Sequence, residues 1–132
     1  MNLILIDTSV WIEHFHGHHA AVRRRLYGLL RGRQAAINPI IRMEILTGAK
    51  DDDQYEELDE TLTGLITLPI TERIYRQAER LRYDMRRQGS LIPVPDMLIA
   101  ASAISHRCRL LHLDDDFDRI ARHAPRLKIA PL

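Results

Sequence analysis

The sequence predicts an α/β fold, a three-layer α/β/α sandwich around a central, mostly parallel sheet. Three observations predict it. Short apolar runs alternate with longer amphipathic stretches along the chain, the pattern of strands separated by crossover helices. The first run, Asn2 to Ile6, is nearly all apolar, as expected of a strand buried on both faces. That run ends on Asp7, followed at once by Thr8, Ser9, Val10 and Trp11, so a carboxylate stands where a strand turns into a helix. In open α/β sheets that edge is where ligands bind.

The elements follow in order. After the strand Asn2 to Ile6, a short helix over Ser9 to Phe15 carries Trp11, Ile12 and Phe15, and Gly17 among His16, His18 and His19 makes a turn. Ala20 to Leu30 is helical, with Val22, Leu26, Leu29 and Leu30 as its apolar stripe and Gly32 as its stop. Gln34 to Asn38 is a second strand, and Pro39 opens a helix carrying Ile41, Met43, Ile45 and Leu46 before Gly48. Asp51 to Thr63 is an acidic helix whose inner face is Tyr55, Leu58 and Leu62. A third strand covers Leu65 to Leu68, and Thr71 caps the longest helix, Glu72 to Gln88. Ile74, Ala78, Leu81 and Met85 share one side of it, and Gly89 ends it. Ile92 to Pro95 is an extended approach to a helix from Asp96 to His106, which is apolar nearly all round and so should be buried. Arg109 to Leu113 is a fourth strand, Asp115 to Arg122 a short helix, and Leu127 to Ala130 a last strand.

Composition bounds the class. A chain of 132 residues with 45% apolar content suits one domain, residues 1–132, with one core. No apolar stretch is long enough to cross a bilayer. The first apolar run lacks a preceding basic segment and a small-residue cleavage site, so it reads as a strand rather than a signal peptide. Cys108 is the single cysteine, which leaves no internal disulfide and suits a reducing cytoplasm. It reads as a small core residue, although Arg107 and Arg109 flank it. The net charge of +1 gives no bulk field for nucleic acid, but the distribution is uneven. Arginines crowd 23–33 and 73–87, acids crowd 51–60, and Lys50 and Lys128 are the two lysines. Arginine's planar fork suits phosphate, and equally a carboxylate on a partner.

Four acids stand in unusual settings. Asp7 ends the first strand, Glu44 lies between Met43 and Ile45 in an apolar helix, Asp96 begins a buried helix, and Asp114 follows the fourth strand, with Asp115, Asp116 and Asp118 close behind. Each has a plain structural alternative. Asp96 can be an N-cap, Glu44 can face solvent, and Asp114 to Asp116 can be a solvated turn. Asp7 is hardest to dismiss, because an acid directly after a buried strand has no surface to escape to. Converging, the four would form a cluster of like charges that a divalent cation would hold together. Mg²⁺ and Mn²⁺ prefer such oxygen ligands and keep open positions for water and phosphate. Thr8 and Ser9 can orient a ligand or simply cap their helix.

Four blocks, LILIDTSVWIE, INPIIRMEILTGA, PVPDMLIAASAI and LLHLDDDFDRIA, resemble the successive blocks of the PIN-domain family. They look most like its VapC branch, the toxin half of bacterial toxin–antitoxin pairs. The resemblance runs over nearly the whole chain in the family's order. It implies a PIN-like parallel sheet between helices and an Mg²⁺- or Mn²⁺-dependent endoribonuclease that hydrolyses RNA phosphodiester bonds without using the ribose 2′-OH as nucleophile. It also implies a VapB-like antitoxin partner and a homodimer. Carried over, Asp7, Glu44, Asp96 and Asp114 are the four catalytic and metal-holding acids, Asp116 a fifth acid on the metal, and Thr8 or Ser9 the adjacent hydroxyl. Asp114, Asp115 and Asp116 compete for the fourth position, and one or two ions remain open. His112 departs from the family, standing where many relatives carry Thr or Ser.

The remaining residues have two readings each. Arg73, Arg76 and Arg80 are either a solvated face, paired in part with Glu72 and Glu79, or phosphate contacts with RNA. Trp11 and Tyr27 are either core or, as the resemblance favours, part of the groove where the antitoxin docks. His14, His16, His18 and His19 read as a solvated loop before a transition-metal site. Two rivals have other functions. A receiver-like, Mg²⁺-binding signalling domain would need a lysine at a strand end, and Lys50 and Lys128 are poorly placed for it. An inactive PIN-like module binding RNA or protein is disfavoured by the intact acids.

Overall fold

The computed structural model describes residues 2–132. Four strands, Ile4–Ile6 (β1), Ala35–Ile37 (β2), Ile66–Thr67 (β3) and Arg109–Leu111 (β4), form one sheet in the order β3-β2-β1-β4. Every pairing is parallel, with Leu5 opposite Ala36 on one side and Leu110 on the other. The linking helices are Thr8–His16 (α1), Ala20–Arg31 (α2), Pro39–Thr47 (α3), Asp52–Thr63 (α4), Glu72–Arg87 (α5) and Val94–Ser105 (α6), with Asp115–His123 (α7) after β4. The chain steps from β1 to β2 to β3 in one direction and then returns to the other side of β1. Right-handed crossovers therefore put the helices of these two passages on opposite faces. The order reverses between β1 and β4, so a crevice opens at their carboxyl ends, where Asp7 and Asp114 stand.

The core explains the pattern. β1 and β2 are buried along their whole length, and Leu5, Ile6, Trp11, Ile37, Met97 and Phe117 are among its largest fully buried side chains. α6 buries every residue from Met97 to Ala103, as its uniform apolarity predicted. Asn38 accepts from the Ile41 N–H at 2.9 Å and caps α3 with Pro39 in the first turn; Thr71 caps α5. Gly17 takes φ +72° to close α1, a left-handed conformation that suits glycine.

Several expectations are corrected. The last strand, Leu127 to Ala130, reduces to a single bridge between Leu110 and Ile129. Two bonds, Leu110 N–H to Lys128 O and Ala130 N–H to Leu110 O, both 2.9 Å, complete it. Pro131 follows at once and has no N–H to extend the ladder. α6 begins at Val94 rather than Asp96, because a helix accepts a proline in its first turn; Asp96 is thus the third helical residue and not the cap. Tyr55, expected on the inner face of α4, is exposed, and that helix buries Leu62 instead; on α3 Ile41 and Ile45 are buried and Met43 is exposed. Among the described residues no helix is long and apolar enough to cross a membrane.

Candidate active site

Asp7 is 4% exposed. Its N–H continues the sheet by donating to Leu111 O at 2.9 Å, and its side chain caps α1. Asp7 Oδ2 accepts from the Ser9 N–H at 3.0 Å and from the Ser9 hydroxyl at 2.6 Å. Ser9 Oγ in turn accepts from the Leu113 N–H at 3.0 Å. One hydroxyl thus ties the end of β1 to the loop after β4. Burial pushes the Asp7 carboxyl above the usual carboxylate range; the bonds from Ser9 and Thr8 pull it back, and Asp114 pushes it up.

Asp96, Asp114 and Asp116 offer carboxylate oxygens that all lie within 4.8 Å of one another. Asp96 is pushed up to about 6, first by burial and then by the negative charges of Asp114, Asp7 and Glu44. Asp7 and Glu44 lie outside that group of three but are near enough to act on Asp96 through their charge. Glu44 comes in from α3 on a largely solvent-facing residue, and its Oε1 accepts from the Thr8 hydroxyl at 2.7 Å. Asp114 caps α7, accepting from the Asp116 N–H at 3.0 Å. Asp115 is exposed and stands outside the cluster, so geometry separates three adjacent acids that sequence left in competition.

Three supporting contacts were not foreseen. His112 Nδ1 accepts from the Asp114 N–H at 3.0 Å, which leaves Nε2 to carry the hydrogen toward Asp118 Oδ1 at 3.2 Å. Arg119 pairs with Asp116 one helical turn away. The i,i+3 spacing of Asp116 and Arg119 was visible in the sequence; the role of His112 in fixing the loop was not.

Other candidates lie elsewhere. Trp11 is 1% exposed, and its indole N–H donates to Ile6 O at 3.2 Å. It is a core residue and not part of a groove, because α1 starts directly from the buried β1 and turns this position inward. Tyr27 is 58% exposed, with the Arg31 guanidinium 5.9 Å from its ring centroid. It lines a hollow with His14, Arg23, Arg24 and Arg31. Arg76 pairs with Glu72 and Glu79, and Arg80 with Asp84, all on α5. Arg73 lies at the start of that helix and lines a different cavity. Of the loop histidines, His19 caps α2, and among the described residues the only group of three metal-capable side chains is the aspartate cluster. Lys128 also lines the cavity that holds Arg73, at the opposite edge of the sheet, so the receiver rival lacks its lysine.

The PIN domain family matches residues 4–123, which contain every acid of this cluster. The chain belongs to the PIN-domain family. Its relatives place this PIN domain in the VapC branch. Ribonuclease VapC11 of Mycobacterium tuberculosis is 44% identical over 125 residues, covering 91% of this chain and 92% of its own. Ribonuclease VapC18 of the same organism is 30% identical over 123 residues, covering 88% and 85%. Among solved structures, VapBC2 of Rickettsia felis, bound to a DNA fragment from its promoter, superposes with a TM-score of 0.79 at 23% identity, covering 97% of each chain.

The electrostatics of this PIN domain make a testable prediction. Without a cation, folded Asp96 holds its proton up to about pH 6, whereas the unfolded chain releases it near 3.8. Within that window the native state binds more protons, so stability falls as pH rises and the loss is complete above it. His14, lowered by burial and by Arg23, acts with the opposite sign. Comparing wild type with Asp96→Asn in chelator cancels His14. Melting temperature of the wild type should fall relative to the variant between pH 4 and 7; parallel curves would refute the crowding of charge at Asp96.

Proposed function

We propose that this PIN domain is a metal-dependent endoribonuclease, the toxin of a toxin–antitoxin pair. The observation that carries the reading is the meeting of Asp96, Asp114 and Asp116 oxygens, with the charges of Asp7 and Glu44 acting on Asp96. The naming of its relatives at up to 44% identity as ribonucleases supports the reaction. The donor set is all carboxylate, without sulfur or imidazole, and suits Mg²⁺ or Mn²⁺ over softer metals. Such an ion supplies positive charge against the phosphodiester and lowers the pKa of bound water. Asp7, Glu44, Asp96 and Asp114 would hold it, with Asp116, which pairs with Arg119, as a further ligand.

The chain's other residues set the geometry. Ser9 keeps Asp7 in one rotamer and Thr8 does the same for Glu44. His112 fixes the backbone at Asp114. Asp7, Glu44 and the loop at Asp114 are therefore held before a cation arrives, which lowers the ordering required on binding. RNA cleavage by the purified chain in millimolar Mn²⁺, abolished by EDTA, tests the activity. Thermal unfolding tests the cation separately. At a hundredfold excess over its dissociation constant an ion adds about 2.7 kcal/mol, so melting temperature should rise by several degrees in wild type. No rise and no binding heat would sink the metal assignment.

The partner reading rests on a second surface. Solved neighbours of this fold include VapBC complexes. Tyr27 is exposed in a hollow with Arg23, Arg24 and Arg31, and Ile12 and Phe15 are exposed on α1; apolar side chains and cations of this kind suit a VapB-like antitoxin. A homodimer is supported by exposed Tyr75, Tyr83 and Val94 around the groove between α5 and α6. The proposed compartment is the cytoplasm, where RNA and antitoxin meet.

A further inference from the structure

At the amino-terminal edge of the sheet, opposite the carboxylates, lies a cavity of about 810 Å³. Arg73 enters it from the start of α5, Arg107 and Arg109 from the turn into β4, and Arg126 and Lys128 from the segment after α7. Five cations thus converge from three separate stretches of chain. Among the described residues no carboxylate lines the cavity, and none of the five forms an ion pair. The contrast with α5 is direct: Arg76 and Arg80, slightly further along the helix, are both matched by acids. All five are exposed, and together they give this face a positive potential that attracts an anion.

The lining narrows the occupant. It contains no aromatic ring on which a base would stack, so a base is not what it recognises. Gln77 also lines it, and its Oε1 is buried without a hydrogen-bond partner. A row of guanidinium groups without a stacking ring suits the phosphates of a ribose–phosphate backbone. Arg109 opens β4 and Asp114 stands three residues beyond its end, so the cavity and the carboxylates lie at opposite ends of the same short strand.

We propose that this cavity is a second RNA-binding site, holding the ribose–phosphate backbone of the substrate strand away from the scissile bond. The inference rests on the ribonuclease reading for its choice of polyanion. Binding is measured in EDTA, where no cleavage occurs, so the two readings fail separately: loss of Mn²⁺-dependent cleavage with binding intact would count against the nuclease alone.

The probe is a fluorescent 20-nucleotide single-stranded RNA of mixed sequence, titrated with the full chain by anisotropy across salt concentrations. For single strands the salt slope changes by about 0.7 per phosphate contact. Replacing Arg109, Arg126 and Lys128 by alanine should therefore flatten it by about 2 and weaken binding at least tenfold. Alanine at Arg33, Lys50 and Arg87, which removes equal charge elsewhere, should keep the wild-type slope. Unchanged RNA affinity and slope in the cavity variant, with its melting temperature intact, would overturn the site. Capture of inorganic tripolyphosphate by the cavity, with RNA binding indifferent to its loss, would reassign it to a free polyphosphate and overturn the RNA occupant.

Discussion

Asp96→Asn should lower Mn²⁺-dependent RNA cleavage by roughly a thousandfold or more while leaving the chain folded and, without metal, more stable than wild type. The two effects have one origin. Asp96 sits where the charges of Asp114, Asp7 and Glu44 converge, and its carboxyl is pushed up to about 6. Near neutral pH it is ionised against that field. The amide has nearly the same shape and no charge, so substitution relieves repulsion. The same change removes a ligand from the proposed cation. Metal-ion stabilisation of a transition state is worth several kcal/mol, and each 1.4 kcal/mol or so is tenfold in rate. Cleavage assays with the Asn variant, alongside calorimetric unfolding in EDTA and in Mn²⁺, check both halves. A fully active variant would remove Asp96 from the site. An inactive variant destabilised in EDTA would mean that the aspartate serves packing rather than chemistry.

Trp11→Ala should cost about 3–5 kcal/mol of stability, the range for emptying a large aromatic site in a core. Trp11 is 1% exposed and its indole N–H serves Ile6 O, so the variant also leaves a buried carbonyl short of a partner. Tyr27→Ala, at an exposed position, should change stability by no more than about 0.5 kcal/mol and instead weaken binding of an antitoxin. Urea unfolding followed by circular dichroism separates them. Equal small losses at the two positions would contradict the placement of Trp11 under α1.

The acids were legible to different degrees for physical reasons. Asp7 announced itself because a charge that follows three buried strand residues must be explained. Asp114 and Asp96 were findable as acids at element starts, but α6 starts at Val94, two residues before Asp96, because its first turn tolerates Pro95. Glu44 was not legible from spacing alone. Its neighbours Met43 and Ile45 singled it out as an acid in an apolar surround, yet the residue faces largely to solvent, and the resemblance of its block was the firmer mark. Trp11 illustrates a limit of composition: an aromatic in the first helix suits core and groove equally until the direction of that helix is known. The basic cavity was invisible because its cations come from 73, 107, 109, 126 and 128, three stretches that only the return of the chain to β4 brings together.

The acids also occupy telling places on their helices. Asp7 and Asp114 precede the first residues of α1 and α7, and Asp96 lies in the first turn of α6. Each helix presents the positive end of its macrodipole there, typically worth about 0.3–1 kcal/mol to a nearby anion. Backbone dipoles thus blunt the mutual repulsion before any ion is present. Assembly of the acids and uptake of an ion become separable: the native fold can set the carboxylates in place first, and the proposed cation can bind afterwards.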